Sequence, residues 1–138
     1  MHMFDKIGSN LCQDLLKKCK NIAVIGLSPD PNRPSHRIAK YLQGKGYRII
    51  PVNPEADTVL GEICYPNLTS VSIPIDLVSV FRREDELAAL FEEAVRLQMP
   101  AIWLQPGLYC QNGEKQAMEQ GIAVVTGHCI MTEHRRWF

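Results

Sequence analysis

From residue 21 onward the chain alternates between short, continuously apolar runs and segments whose apolar residues recur at helical spacing. The apolar runs lie near 22 to 27, 47 to 52, 77 to 81, 101 to 105 and 122 to 126, and are rich in Val and Ile. The helical patterns lie near 34 to 44, 84 to 98 and 112 to 120. Strands without an apolar–polar alternation are buried on both faces. Their regular interleaving with helices predicts a parallel sheet wound both ways, of the α/β class. Gly46 and Gly121 each stand between a helix and a strand, where a left-handed terminus favours glycine, and Pro100 follows the helix of 84 to 98. Ahead of this core, Leu11, Leu15 and Leu16 mark an amphipathic helix over 9 to 20. Between the second and third strands, Gly61, Pro66, Asn67 and Pro74 leave room for a short strand at 63 to 65 and one helical turn, a crossover without a long helix. No linker interrupts residues 1 to 138, so a single domain is expected.

Charge and cysteine content narrow the function classes. Fifteen basic and fifteen acidic residues balance to a net charge of zero, which removes the long-range field that draws proteins to nucleic acid. The five cysteines, Cys12, Cys19, Cys64, Cys110 and Cys129, are odd in number and contain no Cys-x-x-Cys pair. That argues for reduced thiols and against a disulfide framework or a zinc ribbon. Cys129, His128 and the Glu133-His134 pair lack the spacings of a zinc module, and no metal site is expected. No run approaches the roughly 18 apolar residues of a membrane span, so a cytoplasmic protein without a membrane partner is expected.

Candidate chemistry collects at the strand ends, because an open parallel sheet binds ligands beyond the carboxyl ends of its strands. The first strand runs into Gly26-Leu27-Ser28, and Pro34-Ser35 opens the next helix. A glycine turn between a strand and a helix aims free backbone N–H groups and a positive dipole end at an anion. A dinucleotide fingerprint would add a third glycine and an acid about 20 residues on. Here the second strand ends in Asn53-Pro54. The other strand ends are Phe81-Arg82-Arg83, Gln105-Pro106-Gly107 and Gly127-His128-Cys129. Arg82, with Arg33 and Arg37 beside the first helix start, offers guanidinium forks to a phosphorylated ligand. His36, in that helix's first turn, reads equally as a stacking group or as a surface residue.

Taken together, Ala23-Val24-Ile25-Gly26-Leu27-Ser28, Arg33-Pro34-Ser35, Gly46-Tyr47-Arg48-Ile49-Ile50-Pro51-Val52-Asn53-Pro54, Leu60-Gly61, Val80-Phe81-Arg82-Arg83 and Trp103-Leu104-Gln105-Pro106-Gly107 resemble the small CoA-binding domain family. The match spans roughly residues 15 to 136, with Cys129 and Glu133-His134 similar to the family's terminal signature. These proteins are similar to the domain that opens the alpha subunit of succinyl-CoA synthetase. The resemblance implies a Rossmann-like, doubly wound parallel sheet of about five strands, ordered 3-2-1-4-5 within three α/β/α layers. It implies coenzyme A or an acyl-CoA as ligand, and no catalytic machinery. By position, Gly26, Leu27 and Ser28 and the helix start with Arg33, Ser35, His36 and Arg37 would hold the phosphates. Val52, Asn53, Pro54, Phe81 and Arg82 would flank the adenosine and diphosphate. Gln105, Pro106 and Gly107 would line the pantetheine route, with Cys129 at its end. Two other readings stay open: a fragment of an NAD(P)-dependent oxidoreductase, and a CoA-linked thiol redox switch through Cys129. A protein partner or homodimer is also left open.

Overall fold

The computed structural model describes the backbone of residues 3–138 and the side chains of residues 8–138. In chain order the elements are α1 (Met3–Lys18), β1 (Asn21–Ile25), α2 (Pro34–Gly44), β2 (Arg48–Val52), β3 (Thr58–Val59), β4 (Glu62–Ile63), β5 (Leu77–Val80), α3 (Leu87–Arg96), β6 (Ala101–Leu104), α4 (Gln111–Glu119), β7 (Ala123–Val125) and α5 (Ile130–Trp137). The amphipathic run expected over 9 to 20 is α1, which begins earlier. Pro34, with its fixed φ, occupies the first turn of α2 behind an extended Arg33, a position where a missing N–H costs nothing. Gly46 and Gly121 adopt φ of 99° and 82° as helix stops. The helix expected to reach 98 ends at Arg96, and Gln98, at φ 56°, turns the chain ahead of Pro100.

Five strands form one parallel sheet in the order β2-β1-β5-β6-β7, and β3 and β4 make a separate antiparallel pair. Counting only the five long strands, the order is 2-1-3-4-5, which corrects the expected 3-2-1-4-5. The outer edge of β2, where the third strand was expected, is taken by the crossover. Tyr65 N–H donates to the Pro51 carbonyl at 2.9 Å, and Asn53 N–H to the Tyr65 carbonyl at 2.8 Å. The chain then returns to the other side of β1, where Asp76 Oδ2 accepts from the Lys20 and Asn21 amides at 3.0 and 2.9 Å. Strand order therefore reverses between β1 and β5, which sets the ligand crevice of a sheet wound this way.

The register puts Ile22 opposite Ile49 and Leu77, and Val24 opposite Pro51 and Ser79. One face packs Ile22, Val24, Leu77 and Trp103 beneath α1, α2 and α5 through Leu16, Leu42 and Ile130. The other packs Ala23, Val78, Ile102 and Leu104 beneath α3 and α4 through Leu87, Phe91 and Ala117. Trp103 and Phe91, both wholly buried, anchor the two layers. Both sheet faces are thus covered, as the continuous apolar runs require. Among the described residues, no helix is long and apolar enough to cross a membrane.

Candidate functional site

The chain leaves β1 at Gly26, whose φ of 82° and close neighbours both require a residue without a side chain. Its N–H donates to the Val52 carbonyl at 2.8 Å, and on the opposite side Phe81 N–H donates to the Ile25 carbonyl at 2.8 Å. A Cβ at Gly26 would collide with the Phe81 carbonyl oxygen and lie 3.3 Å from Arg82 Cδ. The turn is therefore pressed against the end of β5, with the Arg82 stem running beside it.

The loop beyond is held by short polar side chains. Ser28 N–H donates to Ser35 Oγ at 3.0 Å, Ser28 Oγ accepts from Asp30 N–H at 3.0 Å, and His36 Nδ1 meets the Ser28 carbonyl at 2.9 Å. His36 is thus a loop tie, and Ser35, 6% exposed, positions the backbone through its hydroxyl. Leu27 is fully buried and contributes backbone alone. No side chain caps the start of α2, which leaves its dipole end facing outward. Arg33 and Arg37 are exposed there, Arg37 donating to the Asn32 carbonyl at 3.0 Å.

Asn53 joins the third element to this group. Its Nδ2 donates to the Leu27 carbonyl at 3.0 Å, and its Oδ1 accepts from Glu55 N–H at 2.9 Å. Both ends of the amide are spent on the loop, so Asn53 does not stand free as a ribose acceptor. A cleft of about 790 Å³ opens beside it, lined by Val52, Asn53, Pro54, Leu68 and Leu90, by Arg82 and Arg96, and by the carboxylates of Glu55, Glu86, Glu92 and Glu93.

The structure thus brings Gly26 to Ser28, Ser35, His36, Val52 to Pro54, Phe81 and Arg82 together around the switch point. Arg83 belongs elsewhere: it is exposed and lies 3.5 and 3.7 Å from Asp85 and Glu86 in its own turn. Among the described residues, no hydrogen bond links Gln105, Pro106, Gly107 or Cys129 to that group. Pro106 and Gly107 are exposed, and Cys129 is half-buried as the residue before α5. Gln105 Nε2 is enclosed without a hydrogen-bond partner among the described residues.

Two features lay outside the sequence reading. The cleft's far wall is a network in which Thr69 donates to Glu93 Oε2 through its amide at 3.1 Å and its hydroxyl at 2.5 Å, while Arg96 donates to Thr69 Oγ1 at 2.8 Å. Asn67, whose Oδ1 accepts from Ser70 N–H at 2.8 Å, was the visible signal of a capped turn there. The second feature is a buried polar group between α1 and α5. Ser9 Oγ donates to Glu133 Oε1 at 2.9 Å, and His128 Nδ1 lies 3.8 Å from the same oxygen. Burial, reinforced by the Glu133 charge, pushes the neighbouring Cys12 thiol up to about 12.

The CoA binding domain family matches residues 20–135. The uncharacterized protein YneT of Bacillus subtilis (strain 168) is 39% identical over 122 residues, covering 88% of this chain and 90% of that protein. A Thermus thermophilus structure, cell-free ID.343, superposes with a TM-score of 0.89 at 36% identity, covering 94% of this chain and 98% of that one. The ADP-forming acetate–CoA ligase II of Archaeoglobus fulgidus is 27% identical over 100 residues, which is 71% of this chain but 15% of the ligase. With the family model matched over residues 20–135 and YneT 39% identical over most of both chains, this chain belongs to the CoA binding domain family.

Proposed function

We propose that this chain binds coenzyme A or an acyl-CoA across the carboxyl edge of its sheet, and that its own residues bind and orient the ligand rather than transform it. The carrying observation is the Gly26 turn, packed on the Phe81 carbonyl with Arg82 alongside and an uncapped α2 start ahead of it. The uncapped dipole end of α2 and the Arg82 guanidinium favour a diphosphate beside this turn, whose Gly26 and Ser28 N–H groups are held by Val52 and Ser35 and fix its shape. The cleft walled by Val52, Asn53, Pro54 and Arg82 has the size and mixed polarity for a nucleoside.

An amide rather than a carboxylate at the end of β2 favours this ligand over a nicotinamide dinucleotide. NAD recognition places a free carboxylate on the ribose diol at the end of the second strand. Here Asn53 stands there with both amide groups bound to the loop. Calorimetric titration of the purified chain with CoA, and competition of CoA against NADH, tests the reading. Saturable CoA binding that NADH fails to displace is the expected result. Absence of CoA binding, or tighter binding of NADH, would overturn it.

A further inference from the structure

We propose that Cys12, His128 and Glu133 form a site for a thiophilic divalent cation of the zinc class, in the seam where α1 meets α5. One donor atom from each residue, a thiol sulfur, a ring nitrogen and a carboxylate oxygen, lies within 4.8 Å of the others. Tetrahedral zinc, with bonds of about 2.0–2.3 Å, holds its ligands roughly 3.3–3.8 Å apart, so closing this triangle takes shifts of about 1 Å or less. The His128 Nδ1 to Glu133 Oε1 separation of 3.8 Å is already at that spacing.

The surroundings suit a cation. Cys12 is fully buried and Glu133 is 4% exposed, and the His128 ring, 3.8 Å from this carboxylate, is half-buried beside them. A buried carboxylate is stable when paired or metal-bound, and a cation here would supply the missing charge. Ser9 and Cys12 are three apart on α1, so they share a face, and the Ser9 hydroxyl already orients Glu133. Three protein ligands leave a fourth position for water. On coordination the Cys12 thiol releases its proton to solvent and the thiolate bonds the metal. Such a site would clasp α1, all of which precedes the family-matched residues 20–135, onto the last helix.

Titrating the reduced full-length chain with Co2+ tests this. A thiolate-to-cobalt charge-transfer absorption should appear, saturate at one equivalent and vanish when Zn2+ is added. Cys12→Ser should abolish the absorption, and His128→Gln should weaken Zn2+ binding by about 10-fold or more. A native chain without the absorption overturns the proposal, as does an absorption that survives in Cys12→Ser and so belongs to another thiol. If Cys12→Ser fails to fold, His128→Gln decides, because glutamine keeps a hydrogen-bonding side chain of similar reach at this 20% exposed position; unchanged Zn2+ affinity there refutes the site.

Discussion

The carboxyl edge of the sheet and the seam between α1 and α5 both gather polar side chains, but they direct them differently. At the edge, Ser28, Ser35, His36 and Asn53 bond to loop backbone, which holds the turn in place and leaves Arg82 facing the cleft. In the seam, Ser9 and Cys12 of α1, Glu133 of α5 and His128 of the loop before α5 turn toward one another and are largely removed from solvent. Ordered loop atoms with outward charges make a binding surface. Inward polar groups make a tie whose strength rests on each member having its partner, since an unpaired buried group costs about 1–3 kcal/mol.

If that division is right, the largest effect on ligand binding comes from Gly26. Gly26→Val should lower CoA affinity about 100-fold or more, as the turn is forced off the Phe81 carbonyl and at least two charge-assisted bonds of roughly 1.5–3 kcal/mol each are lost. Calorimetry reads the affinity, and circular dichroism checks that the chain still folds despite the left-handed strain of about 1–2 kcal/mol. Retained affinity would mean that this turn does not carry the phosphates.

A smaller effect separates adjacent arginines. Arg82→Ala should weaken CoA binding by about 10- to 100-fold, the range for one hydrogen-bonded charge. Arg83→Ala, whose guanidinium is tied to Asp85 and Glu86 at the surface, should leave it within about twofold. Equal losses in the two variants would move the phosphate subsite away from the Gly26 side of the crevice.

The smallest effect probes the helix layer on the seam side. His134 on α5 meets the Tyr41 hydroxyl at 2.8 Å through Nδ1 and lies among the Tyr47 and Phe138 rings. Burial, helped by the Lys45 charge, lowers its pKa below the ordinary 6.5. Below 6.5 the unfolded chain takes up a proton that the folded chain resists, so this contribution to stability is complete above 6.5 and lost as pH falls. Thermal midpoints should drop between about pH 7.5 and pH 5.5, and His134→Gln should flatten that drop while leaving CoA affinity unaltered. A changed affinity in His134→Gln would break the separation between the two regions.

Much of the edge was legible in the chain because each part is local. Gly26-Leu27-Ser28 follows its own strand, Asn53-Pro54 and Phe81-Arg82 follow theirs, and a parallel sheet brings all three ends to one side. Strand order was not local. The expected third neighbour of β2 was displaced by Tyr65, whose pairing with Pro51 and Asn53 comes from an irregular crossover that carries no strand-length apolar run. His36 left two readings open in the sequence, and the structure adds a contact that neither named, the Ser28 carbonyl 2.9 Å from its ring. The Thr69, Glu93 and Arg96 wall escaped notice because its members come from a short turn and a helix face, neither of which marks a strand end.

What the sequence determined by itself is the alternation of buried strands and covering helices, the edge of the sheet where Gly26, Asn53 and Arg82 gather, and the glycine that lets β1 turn tightly. Period and turn chemistry act over a few residues, so they can be read along the chain. What only the tertiary structure decided is which strand flanks β1 and which distant side chains share a buried space. Cys12 and Glu133 stand 121 positions apart in sequence, and no periodicity connects them. Their meeting follows from α1 and α5 covering the same face of the sheet, a consequence of how the whole chain buries its apolar surface.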